Sequence, residues 1–452
     1  MLNELRAQNF KSWPDTGSIQ LAPLTGLFGT NSSGKTAILQ LLLMLKQTVE
    51  ARDRQQILAL GDERSDIALG RFRDLLHKGE DRPNLNLSIG WTLRNNLEIL
   101  DPEGEPDRLL FSIPQLNFEV DIEEKDPLKV VRQFAYQFKQ DDRACRFGME
   151  LNSTSEPQNS LKYNLIAEGY EVRRFRGRVW PLPAPIKNYG FPDKVNNYYQ
   201  NASFLSDLVL AFEECFKNIY YLGPLREYPR RNYAWSGDRP VDVGSRGEFT
   251  IAAILASRWR DRESSIEKDI AQKLREIGLI YDFKIEAIQS DRGSYQVWVR
   301  RSPNTPEVLI TDVGFGVSQI LPVLVLCYYV PEGSTIILEH PEIHLHPFAQ
   351  AGLADVFIDV INRRKVQIIL ESHSEHLLRR LQRRIAEEVF SHEQTCLYFC
   401  QLDDRGQSHL QSLQLDEFGN IMNWPQDFFG DEMGELAAKT EAEMRRRMEA
   451  KV

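Results

Sequence analysis

Apolar and polar positions follow three different rhythms along this chain. Near the start, Leu24 to Phe28 is a continuous apolar run, as expected of a strand buried on both faces, and Ala37 to Lys46 (AILQLLLMLK) reads as an apolar helix behind it. From about 85 to 180 the rhythm changes to alternation. LNLSIGWTL, RLLFSI, LNFEVDI and LKYNLIAEGYEVRRF are separated by turn residues, which predicts antiparallel strands. Pro181, Pro183, Pro185 and Gly190 break the pattern. An amphipathic helix over Ser203 to Lys217 is expected next, then a strand that ends in Tyr221-Leu222-Gly223-Pro224-Leu225-Arg226. Gly247 to Ile277 reads as mostly helical, and two strands follow near 281–287 and 295–301.

From 315 onward, apolar helices alternate with short buried strands. The helices are Val317 to Tyr329, Phe348 to Ile361 and Glu375 to Val389; the strands are Ser334 to Leu338 and Val366 to Leu370. Such alternation predicts a parallel sheet covered on both faces. No internal repeat, low-complexity tract or sustained heptad is present. The expected division is 1–84 with the first lobe, 85–225 with the β-rich segment and its connecting helix, 226–392 with the helical lobe and second α/β part, and 393–452 with the last strands and helix.

Composition changes this picture little. With 452 residues, 42% hydrophobic and 27% charged, the chain has the make-up of a globular protein of several structural units. No apolar run reaches the about 18 residues that a membrane helix needs, and the start (MLNELRAQNFKSW) lacks an apolar signal core. Cys145, Cys215, Cys327, Cys396 and Cys400 are scattered and odd in number, which predicts free thiols and a cytoplasmic protein. The net charge of −10 argues against a surface that attracts nucleic acid as a whole. Arg379, Arg380, Arg383 and Arg384 form a local basic stretch, better read as a solvated helix face than as a phosphate contact.

The chemistry is carried by Gly29-Thr30-Asn31-Ser32-Ser33-Gly34-Lys35-Thr36, which fits the phosphate-binding P-loop pattern between a strand and a helix that opens at Ala37. Its glycines let backbone N–H groups turn toward phosphate oxygens, Lys35 supplies a point charge, and the Thr36 hydroxyl can ligate Mg²⁺. Such a loop needs a carboxylate at a nearby strand end. Thr335-Ile336-Ile337-Leu338-Glu339 supplies one, so Thr36 and Glu339 are the expected metal ligands. Asp312-Val313-Gly314-Phe315-Gly316-Val317-Ser318-Gln319 opens an apolar helix with glycines, a second anion-binding device. Glu371-Ser372-His373-Ser374 ends the next strand, placing His373 to donate to a phosphate or to orient water. His344 and His346, with Glu342 and His373, can also be read as a metal cluster; a turn after the magnesium strand is the favoured reading. Trp424, Phe428 and Phe429 read as packing anchors, and His376 as a helix-face residue.

In that order these elements resemble an ABC-type ATPase head. The chain is similar above all to the SMC-like and overcoming-lysogenization-defect-like AAA ATPases of bacteria, whose strand end reads DEPExHLHP and whose switch reads THS. Here the residues are Glu339-His340-Pro341-Glu342-Ile343-His344-Leu345-His346-Pro347 and Ser372-His373-Ser374, and Phe10-Lys11-Ser12 resembles the first strand of these heads. A subgroup found in mobile or defence-type operons is similar at Tyr221 to Arg226, at Val313 to Gln319 and at Asn423-Trp424-Pro425.

The resemblance implies an α/β fold: a P-loop NTPase of ABC-ATPase head type, with a mixed or parallel core sheet between helices, an antiparallel β subdomain and a helical lobe. It implies ATP and Mg²⁺ as cofactors, and a head-to-tail dimer in which Gly314, Gly316 and Ser318 meet the nucleotide of the other copy. Gly314 stands where a serine is usual. His340 stands where these heads carry the catalytic glutamate, so turnover is expected to be slow, with Lys35, Glu339, His340 and His373 in the catalytic roles. Gln40, Gln47 and Asp74 are candidates for the water- and magnesium-contacting loop. The stretch after His373 is too short for the nuclease domain of overcoming-lysogenization-defect proteins. The expected function is therefore a stand-alone switch over a partner effector such as a nuclease, in antiphage defence. An ATP-locked scaffold without hydrolysis and an SMC-like DNA-binding repair ATPase are the alternatives. No membrane role is expected.

Overall fold

The structure, a computed structural model, describes residues 1–78, 84–102, 108–125, 128–152, 161–177, 180–260, 266–425, 428–430 and 432–449. The apolar runs of the second half and the run before the P-loop come together in one six-stranded sheet. Its order is Ile219–Leu222, Thr335–Glu339, Gln367–Glu371, Leu24–Gly29, Thr395–Leu402 and Ser408–Leu413. All neighbours are parallel except the last pair, a hairpin at the edge. Every residue of Thr335–Glu339, Gln367–Glu371 and Leu24–Gly29 is buried, as a strand covered on both faces must be.

Alternation along these strands divides their side chains between two cores. Leu27, Ile337 and Ile369 face the helix Lys35–Glu50 and the antiparallel sheet behind it. Leu24, Phe28, Ile336, Leu338, Ile368 and Leu370 face the helices Phe315–Tyr329 and Pro347–Arg364. The buried residues of the helix Glu375–Ala386 (Leu377, Leu378, Leu381 and Ile385) belong to the same second core.

The antiparallel sheet has eight strands among the described residues. Trp13–Asp15, Leu2–Phe10, Asn84–Leu100, Leu109–Lys125, Leu128–Gln140, Arg143–Leu151 and Tyr163–Glu168 run in that order, with Ile19–Gln20 also on Leu2–Phe10. It crosses the expected division at 84 and 85, because Leu2–Phe10 pairs with Asn84–Leu100 from Leu2 opposite Trp91 to Gln8 opposite Asn86. The β-rich segment is therefore continuous with the N-terminal strand. The run through Phe175 is strand only to Glu168; Gly169, at φ 85°, turns the chain away. The region from 247 to 277 contains the helices Thr250–Arg260 and Ile266–Glu276; residues 261–265 of that span lie outside the described residues. A smaller sheet, Tyr233–Ala234, Ser294–Arg300, Asp282–Ala287 and Val308–Leu309, flanks these helices.

Candidate nucleotide and metal site

The P-loop leaves the strand Leu24–Gly29 through Gly29, whose φ of 132° is open to glycine. Its tightness is enforced by a neighbour: a Cβ on Gly29 would lie 2.0 Å from the Cys400 carbonyl oxygen. Gly34, at φ 92°, starts the helix Lys35–Glu50, and no side chain caps that start. An uncapped helix start keeps first-turn N–H groups available to an anion. The loop is braced from outside. Trp13 Nε1 donates to the Gly34 carbonyl at 3.1 Å, and the Ser408 hydroxyl donates to that of Ser12 at 2.6 Å beside it. Inside the loop, the Ser33 hydroxyl donates to the Thr30 carbonyl at 2.7 Å, and Ser32 takes a left-handed φ of 61°. Thr30 and Asn31 are exposed, and Ala37 is buried in the first turn.

Lys35 is buried at the root of the loop. Its ammonium donates to the carbonyls of Thr30 (2.6 Å) and Gly29 (3.1 Å) and lies 3.8 Å from Glu371 Oε1. Burial lowers its pKa, and the Glu371 charge acts against that shift. The Thr36 hydroxyl donates to Glu371 Oε2 at 2.8 Å. Glu371 was not among the residues expected to hold the metal, although it closes the strand next to the P-loop strand.

Glu339 is also buried, but its Oε1 accepts from the Tyr221 hydroxyl at 2.9 Å. Burial raises its pKa to about 7; the nearby Glu371 carboxylate adds to the rise, while Tyr221 and Arg226 oppose it. Arg226, itself buried, donates to the carbonyls of Glu339 (3.1 Å) and His340 (3.3 Å) and so fixes the turn after the strand. His340 sits there at a left-handed φ of 45°, its Nε2 3.7 Å from Glu371 Oε1. Its ring stacks on that of His373 with centroids 5.2 Å apart and planes 9° from parallel. Glu342 Oε1 accepts from the His373 backbone N–H at 2.8 Å. Burial of its surroundings, Lys35 and His340 all lower the His373 pKa, which favours a neutral imidazole.

Donor atoms of His340, Glu371 and His373 lie within 4.8 Å of one another. His344 and His346 are exposed and outside this cluster; His346 Nδ1 instead accepts from the Phe348 N–H and caps the helix Pro347–Arg364. The chemistry fits a hard divalent cation held by a threonine hydroxyl and a strand-end carboxylate.

The other expected residues are placed as follows. Gly314 is the N-cap of the helix Phe315–Tyr329, and nothing lies within 4 Å of where its Cβ would be. A Cβ on Gly316 would meet the His344 carbonyl at 3.5 Å. The Ser318 hydroxyl donates to the Phe315 carbonyl within its own helix. Gln40 accepts from the Lys11 ammonium, Gln47 donates to the Ala59 carbonyl at 2.5 Å, and Asp74 accepts from the Arg71 N–H at 2.8 Å. Arg380 and Arg384 pair with Asp355, Arg383 and Arg384 with Glu387, and Arg379 with Glu375. Trp424 stacks under Arg379, while Phe428 packs on Phe28 and Phe399. Among the described residues, no helix is long and apolar enough to cross a membrane.

A family model described as an AAA ATPase domain matches residues 250–378, which contain Gly314, Gly316, Glu339, His340, Glu371 and His373. A second, described as a protein of unknown function (DUF3696), matches residues 390–438. No curated protein matches the chain. Solved structures similar to it include the SMC head domain from Thermotoga maritima, at 9% identity over 91% of this chain and 99% of that one, with a TM-score of 0.42. Another is an SmcHead bound to the C-winged helix domain of ScpA, at 11% identity over 92% and 98%, with a TM-score of 0.46. A third is the Smc head domain with an extended coiled coil bound to the C-terminal domain of ScpA, derived from Pyrococcus furiosus, at 12% identity over 98% and 99%, with a TM-score of 0.42. The parallel sheet order, the P-loop and the ATPase-domain match over 250–378 together make this a P-loop ATPase fold of mixed α/β type.

Proposed function

We propose that this chain binds ATP with Mg²⁺, hydrolyses it slowly, and uses the bound nucleotide to join two copies head to tail. The observation that carries the nucleotide reading is the P-loop itself. Lys35 and Thr36 sit at the root of a braced loop, against a row of parallel strand ends that carry Glu371, Glu339, His340 and His373. Mg²⁺, when bound, would neutralise charge on the triphosphate; Thr36 and a strand-end carboxylate would hold it. Lys35 would lie along the phosphates, and His373, held through its backbone by Glu342, would meet the terminal one.

Slow turnover follows from His340 at the place of the catalytic glutamate. A missing general base costs about 10²–10⁴ in rate while sparing binding. The head-to-tail reading is supported by an accessible signature: Gly314 has open space around it, and exposed Phe315 meets exposed Tyr228 edge-on with centroids 5.7 Å apart. Control of an effector such as a nuclease, in antiphage defence, rests on family resemblance alone. Copurification of a nuclease with the chain, dependent on Lys35, is its test. The DNA-binding alternative is weakened at Arg379 to Arg384, whose charges are met by Asp355, Glu375 and Glu387. The same His340 favours a second reading, an ATP-locked scaffold without turnover.

The deciding experiment is the mass in solution with and without ATP and Mg²⁺, with phosphate release followed in the same samples, for wild type and Lys35→Ala. Association that requires ATP, with slow release and both lost in the variant, is expected. An assembly indifferent to ATP and to Lys35 would refute the proposal. ATP-dependent association with no phosphate release would leave the scaffold.

A further inference from the structure

Sequence order assigns the magnesium carboxylate to Glu339, because its strand ends in an acid and carries the expected motif. Strand order in space points elsewhere. Gln367–Glu371 lies between Thr335–Glu339 and the P-loop strand, with Glu371 opposite Leu27 on one side and opposite Glu339 on the other. Neighbouring strands are about 4.8 Å apart, so Glu339 starts one strand further from the P-loop than Glu371 does. The side chains extend the difference. Glu371 accepts from Thr36, the P-loop residue expected on the metal, at 2.8 Å, and its other oxygen lies 3.8 Å from Lys35. Glu339 bonds instead to Tyr221, which comes from Ile219–Leu222 on the side of its strand away from the P-loop. Both acids are buried, at 3% and 5% exposure, so each keeps the contacts its neighbours dictate.

We propose that Glu371, and not Glu339, is the carboxylate that holds the divalent cation together with Thr36. Glu339 is a positioning residue: bonded to Tyr221 and braced at its backbone by Arg226, it sets the turn that carries His340. A threonine hydroxyl and a carboxylate suit Mn²⁺ as they suit Mg²⁺, so Mn²⁺ can stand in for Mg²⁺ between Thr36 and Glu371. This assignment rests on the nucleotide reading above for its role, and on the Thr36–Glu371 pair for its geometry.

The test is the affinity of a fluorescent, non-hydrolysable ATP analogue, first in EDTA and then against increasing Mg²⁺, for wild type, E371Q, E371D, E339Q and K35A. In E371Q the Mg²⁺ needed for half-maximal binding is expected to rise at least about tenfold, within or above the range for weakened metal sites. Its affinity in EDTA should equal or exceed that of wild type, since a negative charge has left the phosphate site. E371D, which keeps a carboxylate one methylene shorter, should recover part of the shift, and E339Q should stay within about threefold of wild type, well under the factor of a lost ligand. A tenfold shift in E339Q with none in E371Q would overturn the assignment. So would an E371Q that loses affinity equally with and without metal, since that outcome marks a structural role. Nucleotide binding that fails in wild type under both conditions would refute the nucleotide reading instead. Electron paramagnetic resonance of Mn²⁺ on the nucleotide-free protein then decides the metal assignment alone. Bound Mn²⁺ that is lost in E371Q sustains it; Mn²⁺ bound equally by both, or by neither, overturns it.

Discussion

Replacing Glu339 by glutamine should make the protein more stable at high pH and leave it nearly unchanged at low pH. Glu339 is 5% exposed, and burial together with the Glu371 charge raises its pKa from 4.5 to about 7. The folded state therefore holds a proton that the unfolded state has released between those values. The group's contribution is fully present below pH 4.5 and is lost as pH rises through about 7. The gap corresponds to about 3 kcal/mol. Glutamine mimics the protonated form and can still accept from Tyr221, so it does not lose that contribution. His373 acts in the opposite sense. Its folded pKa is lowered, so its contribution is present above its ordinary value of 6.5 and fades as pH falls; both proteins carry it, and it cancels in the comparison. The assay is denaturant unfolding at pH 5 and pH 8, without nucleotide or divalent cation. The E339Q advantage at pH 8 should approach about 3 kcal/mol and shrink toward zero at pH 5. A variant destabilised by the same amount at both pH values would refute the reasoning, because it would show that the carboxylate is ionised and bonded throughout.

Three further outcomes are expected. Gly29→Ala places a Cβ 2.0 Å from the Cys400 carbonyl at a φ of 132°, so it should cost more than about 4 kcal/mol and leave little soluble protein, measured by expression and thermal unfolding. Arg226→Ala removes the donor to two buried carbonyls and should cost about 3 kcal/mol in denaturant unfolding; a loss below about 1 kcal/mol would mean that the turn holds without it. His340→Glu should raise phosphate release at least about tenfold if a missing base limits turnover, and unchanged release would place the limit at another step.

The parts of this protein legible in its sequence are those whose cause is local. The P-loop is a contiguous pattern, and the buried strands around it announce themselves as unbroken apolar runs such as TIILE and QIILE. The alternating segment after residue 84 likewise reads as antiparallel strands, because side chains that face one core must recur at every second position. Partners from distant segments were invisible. Nothing in Leu2–Phe10 says that it pairs with Asn84–Leu100, and nothing in the arginines of Glu375–Ala386 says that Asp355 waits on the neighbouring helix. Trp13 and Ser408 brace the P-loop from two further places in the chain, with no motif to mark them.

Glu371 shows why the surroundings of the P-loop were only half readable. Its strand ends in an acid, but the motif order puts an acid first and a histidine second, so the sequence alone points to His373 there. In a parallel sheet, chain order and spatial order differ: the crossover through Pro347–Arg364 inserts Gln367–Glu371 between the first acid strand and the P-loop strand. The acid nearer the nucleotide loop is thus the one later in the chain. Two buried carboxylates at adjacent strand ends would repel if both were ionised with nothing between them. The structure separates their roles by giving each a different neighbour, with Tyr221 on the far side for Glu339, and Thr36 with Lys35 on the near side for Glu371. That division carries a consequence for substitutions: Tyr221→Phe should raise the Glu339 pKa further and leave Thr36 and Glu371 in place, whereas Thr36→Val should disturb Glu371 and leave Glu339 in place. The two acids are coupled through the sheet, but each answers first to its own hydroxyl.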